Sequence, residues 1–141
     1  MTTLSNRSII ITGAGSGIGR AIAQEAAAAG AHVIVSDLNQ DTANETVELI
    51  QQASGQATAV AGDVSSPEVV DQLVAAATSA GPLLGLVNNA GVMDDFAGAT
   101  ETTDATWELC MRVNVTAPFM LTRAVLPHLL EAGKGCLLYT S

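Results

Sequence analysis

The apolar residues 9–11 run directly into a glycine-rich segment, 12–19, and this junction constrains the fold of the chain most. The glycines are followed at once by an alanine-rich stretch of helical character. A helix that opens there leaves its first N–H groups without intrahelical acceptors, and its dipole adds about half a positive charge at that end. Glycines also let the main chain approach a ligand closely. The segment therefore predicts a binding site for a diphosphate.

Apolar runs of strand length alternate with amphipathic runs of helix length along the chain. The predicted strands are 8–12, 32–36, 57–61 and 84–87, and the helices are 18–29, 41–53, 67–80, about 104–115 and 119–132. Because the strands are apolar throughout, both faces of the sheet should be covered. The pattern is typical of an α/β fold, a doubly wound parallel sheet with helices on both faces, here truncated after about the fourth or fifth strand.

The composition excludes several classes of function. A net charge of −9 and a pI of about 4.3 make nucleic acid an improbable partner. A polar start without a signal peptide, and no apolar stretch of the ~20 residues that a bilayer requires, favour a cytoplasmic protein with no membrane partner. Neither the two cysteines, Cys110 and Cys136, nor the histidines, His32 and His128, have the spacing of metal ligands, so no metal is expected.

The glycine spacing separates several phosphate-binding motifs. No Gly-Lys-Ser/Thr closes a Walker loop, and Ile18 or Arg20 stands where G-x-G-x-x-G needs its last glycine. The pattern that fits is T-G-x-x-x-G-x-G, formed by Thr12, Gly13, Gly17 and Gly19.

This spacing resembles the short-chain dehydrogenase/reductase family, and further motifs of that family recur in order: Asp63-Val64, Asn88-Asn89-Ala90-Gly91 and Asn114. The resemblance covers about residues 8–135. It implies a Rossmann-like fold and an NAD(P)-dependent oxidoreductase that moves hydride between nicotinamide and a carbonyl or secondary alcohol of a small molecule. The cofactor-binding residues that it implies are Gly13, Ser16, Gly17, Ile18, Gly19, Asp37, Asp63, Val64, Asn89, Ala90 and Gly91.

Asp37 decides the expected cofactor. It ends the second strand, where a carboxylate can accept hydrogen bonds from a ribose diol. The 2′-phosphate of NADP would meet this carboxylate without a compensating cation, since neither Ser16 nor Leu38 is basic. NAD is therefore preferred over NADP. The alternative is a solvated aspartate that caps the loop into the next helix.

The other motif residues have roles only through the resemblance. Asp63 and Val64 would hold the adenine edge, although a helix-entry loop explains Asp63 equally well. Asn88 would tie neighbouring strands together, whereas Asn89 would lie beside the nicotinamide ribose. Gly91 would allow close backbone approach, as would any turn glycine.

Asn114 is the one catalytic residue that the resemblance identifies. In the family, its main-chain carbonyl, at a break in a helix, holds a water that relays protons to a catalytic lysine. The alternative is a helix-end residue, because Pro118 follows closely. The serine, tyrosine and lysine of the family would fall beyond Ser141, and Tyr139 has no lysine four residues later. The chain as it stands is therefore predicted to be inactive.

Two other functions remain open: a non-catalytic NAD-binding regulatory module, and a sugar-nucleotide epimerase or dehydratase, whose motif would place glycine at Ser16.

The helices that correspond to the last two predicted helices often pair between subunits in the family, so a full-length homo-oligomer is expected. Their packing faces are predicted to include Trp107, Leu109, Val113, Leu121, Val125 and Leu129.

The final six residues, 136–141, are suspected to be foreign to the protein. One reverse translation of Cys-Leu-Leu-Tyr-Thr-Ser is the transposon-end adapter used in sequencing libraries. On this hypothesis residues 1–135 are an NAD(P)-binding domain that is incomplete at its C-terminal end. The alternative is native sequence that forms a fifth strand.

Overall fold

The computed structural model describes residues 4–139, which form one parallel sheet between layers of helices. The predicted elements are present, with boundaries shifted by one or two residues, except that the helix predicted over about 104–115 ends at Met111. In chain order they are β1 Ser8–Thr12, α1 Gly17–Ala28, β2 His32–Asp37, α2 Gln40–Gln52, β3 Gln56–Ala61, α3 Pro67–Ala80, β4 Leu83–Asn88, α4 Asp104–Met111, α5 Ala117–Glu131 and β5 Cys136–Tyr139.

The strand order is β3-β2-β1-β4-β5, and every pairing is parallel. Ile10 at the centre of β1 lies opposite Ile34 of β2 and Leu86 of β4. The order reverses between β1 and β4, where the chain leaves the sheet in opposite directions. In open α/β sheets the crevice at such a reversal, outside the carboxyl ends of the strands, is the ligand site. The predicted doubly wound, Rossmann-like fold is confirmed.

Alternate side chains of β1 enter two separate cores, because successive residues of a strand point to opposite faces. Ile9 and Ile11 belong to the core that α1 and α2 cover, through residues such as Ala23 and Ile50. Ile10 belongs to the core under α3 and α5. Burying an isoleucine side chain contributes roughly 1.5–3 kcal/mol, so both helix layers are held firmly on the sheet.

The two last helices, predicted as separate elements, form one continuous helical segment. A π-helical turn, Arg112–Thr116, joins α4 to α5, with the N–H of Ala117 donating to the carbonyl of Arg112. Pro118 explains the turn: its ring lacks an N–H and would crowd the carbonyl of Asn114 four residues earlier in a regular α-helix. The reading of Asn114 as a helix-end residue is therefore wrong.

The packing faces of these helices are only partly as predicted. Leu121, Val125 and Leu129 are buried against the sheet. Trp107 and Leu109 are 62% and 40% exposed, so the single chain does not cover their part of the predicted packing face. The single chain buries only the α5 half of the segment.

Strand β5 pairs in parallel with β4 and places Leu137 opposite Leu86. All of its side chains are exposed. The presence of this strand does not show whether residues 136–141 are native or derived from the adapter. Apolar residues of either origin can form a strand at the edge of a sheet. The suspicion about residues 136–141 therefore stays a prediction, and Thr140 and Ser141 lie outside the described residues.

Candidate cofactor site

The loop between β1 and α1 leaves an open space above the first turn of the helix. Gly17 has a φ of +55°, in the left-handed region, and a Cβ there would have no neighbour within 4 Å. Ser16 is the N-cap of α1, but its hydroxyl makes no capping hydrogen bond. The N–H groups of Gly17, Ile18 and Gly19 have no intrahelical acceptor by helix geometry. This end of α1 combines room, donors and positive potential, which are the requirements of a diphosphate site.

Gly19 brings the same helix against the end of the sheet. A Cβ on Gly19 would collide with the carbonyl oxygen of Gly13 and stand 2.5 Å from Nδ2 of Asn89. That amide donates to the carbonyls of Thr12, at 3.0 Å, and Gly13, at 3.2 Å. Asn89 thus holds the glycine loop to the end of β4. It also lines the cleft described below.

Thr12 has a structural role that the motif spacing did not reveal. Its buried hydroxyl accepts hydrogen bonds from the N–H groups of Asn89, at 3.1 Å, and Ala90, at 2.9 Å. It also donates to the carbonyl of Val87, at 3.4 Å. The hydroxyl therefore sets the position of the segment that follows β4. The sequence could have indicated this role, because a threonine stands at the first position of the T-G-x-x-x-G-x-G motif.

The carboxylate of Asp37 is held by three donors at the end of β2. Oδ2 accepts from the N–H of Gly15, at 2.9 Å, while Oδ1 accepts from the N–H of Asn39, at 3.0 Å, and from the hydroxyl of Thr42, at 3.3 Å. An ionised carboxylate has about four acceptor positions. Asp37 thus retains at least one free acceptor position, and it lines the cleft beside the exposed side chain of Leu38.

Asp63 lies in the loop after β3 and is held in an ionised form. Its Oδ1 accepts from the hydroxyl of Ser65, at 2.6 Å, and from the N–H of the same residue, at 2.8 Å. These bonds keep the pKa of the Asp63 carboxyl below its ordinary value, against an opposing effect of burial, and Arg112 adds a smaller effect in the same direction as the bonds. The Arg112 guanidinium stands 3.9 Å from Oδ2.

A single cleft of about 630 Å³ at the carboxyl ends of the strands gathers most of the predicted residues, and its size suits a cofactor. Every predicted cofactor residue except Gly19 lines it: Gly13, Ser16, Gly17, Ile18, Asp37, Asp63, Val64, Asn89, Ala90 and Gly91. Gly19 acts behind the loop instead. The wall also includes residues that the motifs did not indicate: Leu38, Gly62, Val92, Leu109, Arg112 and Val113.

Asn114 lies beside this cleft, on the π-helical turn. Its side-chain oxygen accepts from the N–H of Val92 and its side-chain nitrogen donates to the carbonyl of Val92. Val92 borders the cofactor cleft and also a second cavity, of about 810 Å³, that Met93, Trp107 and Asn114 help to line. Asn114 therefore holds a residue that borders both cavities.

Within residues 4–139, no group of three or more His, Cys, Asp or Glu side chains is close enough together to hold a metal ion. No helix in the described part of the chain is both long and apolar enough to cross a bilayer.

The family profile described as short chain dehydrogenase matches residues 7–141. The chain belongs to this family. The short-chain dehydrogenase motifs named above thus lie in a sequence that matches the family over nearly its whole length.

Several characterised short-chain dehydrogenases are similar in sequence. The chain is 37% identical over 133 residues to 2-(S)-hydroxypropyl-CoM dehydrogenase 3 of Xanthobacter autotrophicus, covering 94% of this chain and 52% of that protein. It is 40% identical over 139 residues to 7α-hydroxysteroid dehydrogenase of Escherichia coli, covering 96% and 52%. The chain spans about half the length of the curated relatives it matches.

Solved structures of short-chain dehydrogenases share the fold. The structure of 7α-hydroxysteroid dehydrogenase complexed with NADH and 7-oxo glycochenodeoxycholic acid superimposes with a TM-score of 0.90 at 39% identity, over 98% of this chain and 54% of that one. A metagenomic short-chain oxidoreductase in complex with NADP also gives a TM-score of 0.90, at 30% identity, over 96% and 62%. The predicted family and the oxidoreductase class are confirmed, and the epimerase, dehydratase and regulatory alternatives are not supported.

Proposed function

We propose that this chain is the cofactor-binding part of an NAD-dependent dehydrogenase or reductase acting on a small carbonyl compound or secondary alcohol. The observation that carries the proposal is the open first turn of α1: its N–H groups have no intrahelical acceptors, and its residues Gly17 and Ile18 line a cleft that Asp37 and Asp63 also line. Nicotinamide, when bound, supplies the hydride chemistry, and the protein supplies binding and orientation.

The preference for NAD over NADP rests on the charge around Asp37. The residue that follows, Leu38, is apolar and 76% exposed. The guanidinium of Arg20 is engaged with the carboxylate of Glu45, and Arg112 stands near Asp63. A 2′-phosphate at Asp37 would therefore add negative charge beside a carboxylate with little compensation, whereas a ribose hydroxyl can donate to the free position of that carboxylate.

We assign the proton-relay position to the main-chain carbonyl of Asn114. Its side chain accepts one hydrogen bond from Val92 and donates one to it, which fixes the backbone of the turn. The regular α-helical donor to this carbonyl would be residue 118, a proline, which has no N–H. The carbonyl therefore lacks its usual helical donor. It can accept a hydrogen bond from a relay water instead.

The test is a binding titration with the protein expressed from its complete coding sequence. We expect NADH to bind at least about tenfold more tightly than NADPH, a difference of about 1.4 kcal/mol. Asp37→Asn should narrow this ratio, while Asp41→Asn, which removes an equal charge from the first turn of α2, should leave it unchanged. Failure of the wild-type protein to bind either cofactor would refute the proposal.

We further propose that the full-length protein self-associates through the α4–α5 segment. Exposed apolar side chains recur four residues apart along it, at Trp107, Met111, Val115 and Phe119. A second copy of the same helix would cover this stripe, which a two-fold axis makes self-complementary. Sedimentation of the complete protein should show a dimer or tetramer; a monomer at micromolar concentration would contradict this.

Cytoplasmic location stays a prediction from the sequence.

A further inference from the structure

Arg20, near the start of α1, bridges the phosphate-binding loop and α2. Its Nη2 donates to the carbonyl oxygen of Gly15 and also contacts Oε2 of Glu45 at 2.8 Å. Its Nε donates to Oγ1 of Thr46 at 2.9 Å. Thr46 is fully buried, and its hydroxyl donates in turn to the carbonyl of Thr42. The guanidinium therefore has three acceptors on two different elements.

Gly15 is held from both sides by this arrangement. Its carbonyl accepts from Arg20, and its N–H donates to Oδ2 of Asp37. A side chain at this position would displace its neighbours, since a Cβ would stand 2.5 Å from Oγ1 of Thr42 and 2.6 Å from Oδ2 of Asp37. The loop conformation is thus linked directly to the residue that would select the ribose.

The hold on the Gly15 carbonyl also orients the next N–H. In a trans peptide the C=O and the following N–H point in opposite directions. Drawing the carbonyl of Gly15 toward α2 turns the N–H of Ser16 away from α2, and Ser16 lines the cofactor cleft. Arg20 does not line that cleft, so its influence on a ligand must pass through this peptide.

We propose that Arg20 is a positioning residue that keeps the diphosphate loop in its binding conformation before the cofactor arrives. A preformed loop has less freedom to lose when the ligand binds, which raises affinity without a direct contact. The proposal rests on the proposed function, because it concerns the nicotinamide cofactor site.

The chemistry of the side chain explains why arginine suits this position. A cation in the first turn of a helix is opposed by the helix dipole, so it is not favoured there by local electrostatics. The planar guanidinium, however, presents several N–H donors in a fixed arrangement and can serve Gly15, Glu45 and Thr46 together. A lysine ammonium on a flexible stem cannot reproduce that geometry.

The experiment measures the dissociation constant of NADH for Arg20→Met and Arg20→Lys in the protein expressed from its complete coding sequence. We expect the constant to rise about tenfold in both variants, with turnover at saturating NADH within about twofold of wild type. Arg7→Met, which removes a cation at the opposite end of β1, is the matched control and should bind NADH normally. A purely structural Arg20 would lower the unfolding midpoint and leave the dissociation constant unchanged, and that result would overturn the inference.

A second variant covers the case in which Arg20→Met does not fold. Thr46→Val keeps the shape of the buried side chain and removes the acceptor of Nε. We expect about a threefold rise in the dissociation constant of NADH, and no change would overturn the inference. If the wild-type protein and the variants bind NADH equally well, only the role of Arg20 is refuted. A wild-type protein that binds neither nicotinamide cofactor refutes the proposed function and this inference together.

Discussion

The side-chain amide of Asn114 makes two hydrogen bonds to the backbone of Val92. Its Oδ1 accepts from the N–H at 2.9 Å and its Nδ2 donates to the carbonyl at 2.8 Å. The pair reproduces the pattern of a backbone ladder and ties the segment after β4 to the π-helical turn. A Cβ on Gly91 would stand 3.3 Å from the same Oδ1, so the approach is close. The side chain thereby holds the backbone of the turn in place, and the proposed relay therefore uses the main-chain carbonyl.

Asn114→Ala should weaken both the fold and the reaction. Loss of two partly buried hydrogen bonds predicts a fall of about 2 kcal/mol in the free energy of unfolding, measured by urea titration. In the complete protein, turnover should fall about tenfold while the dissociation constant of NADH changes less than about threefold. Asn44→Ala, which removes an exposed amide from α2, should alter stability by less than about 0.5 kcal/mol. Normal turnover in Asn114→Ala would show that the Asn114 side chain is not needed to position the relay carbonyl.

Alanine at Gly17 and at Gly19 should fail in different ways. At Gly17 the left-handed backbone costs about 1 kcal/mol, and the new methyl group enters open space on the cleft side, so the protein should fold but bind NADH weakly. At Gly19 the methyl group meets the carbonyl of Gly13, so the fold itself should be lost or strongly destabilised. Gly98→Ala, where a Cβ has no neighbour within 4 Å, is the control. Thermal melts and NADH titrations distinguish the outcomes, and tight NADH binding by Gly17→Ala would count against the diphosphate site.

The pKa of Asp63 predicts an acid-dependent contribution to stability. Because the folded-state pKa is lowered below the ordinary value of 3.8, the stabilisation is present above that pH and is lost as the pH falls through the folded pKa. Ser65→Ala should therefore be less stable than wild type at neutral pH, with a difference that shrinks below about pH 4. Carboxyl-carbon NMR should show a raised pKa for Asp63 in Ser65→Ala and no change in Ser66→Ala. An unchanged Asp63 titration in Ser65→Ala would refute the assigned cause.

The hypothesis of a foreign tail has a direct test in the source DNA. We expect sequencing past the codon of Gly135 to replace Cys-Leu-Leu-Tyr-Thr-Ser with different residues. Genomic DNA that still encodes those six residues, in a read free of adapter, would show that the tail is native.

Much of the fold follows from local patterns in the sequence. The alternating apolar and amphipathic runs determined four strands and their connecting helices to within one or two residues. They could do so because strand and helix periodicity depends on neighbouring residues in the chain. The motif of Thr12, Gly13, Gly17 and Gly19 located the phosphate loop. Gly13 and Gly17 answer a local backbone requirement, whereas Gly19 is needed for close packing against the end of the sheet. The position of Pro118 predicted a gap between two helices, but in the structure it marks a π-helical turn.

The sequence by itself thus determined the parallel α/β sheet, the loop at the end of β1 and the acidic residue at the end of β2. Only the tertiary structure decided the strand order, the pairing of Asn114 with Val92, the contacts of Arg20 with Glu45 and Thr46 of α2, and the exposure of Trp107. The reason is physical: backbone conformation is set mainly by adjacent residues. The partner of a polar side chain 22 or more residues away depends instead on how whole layers pack.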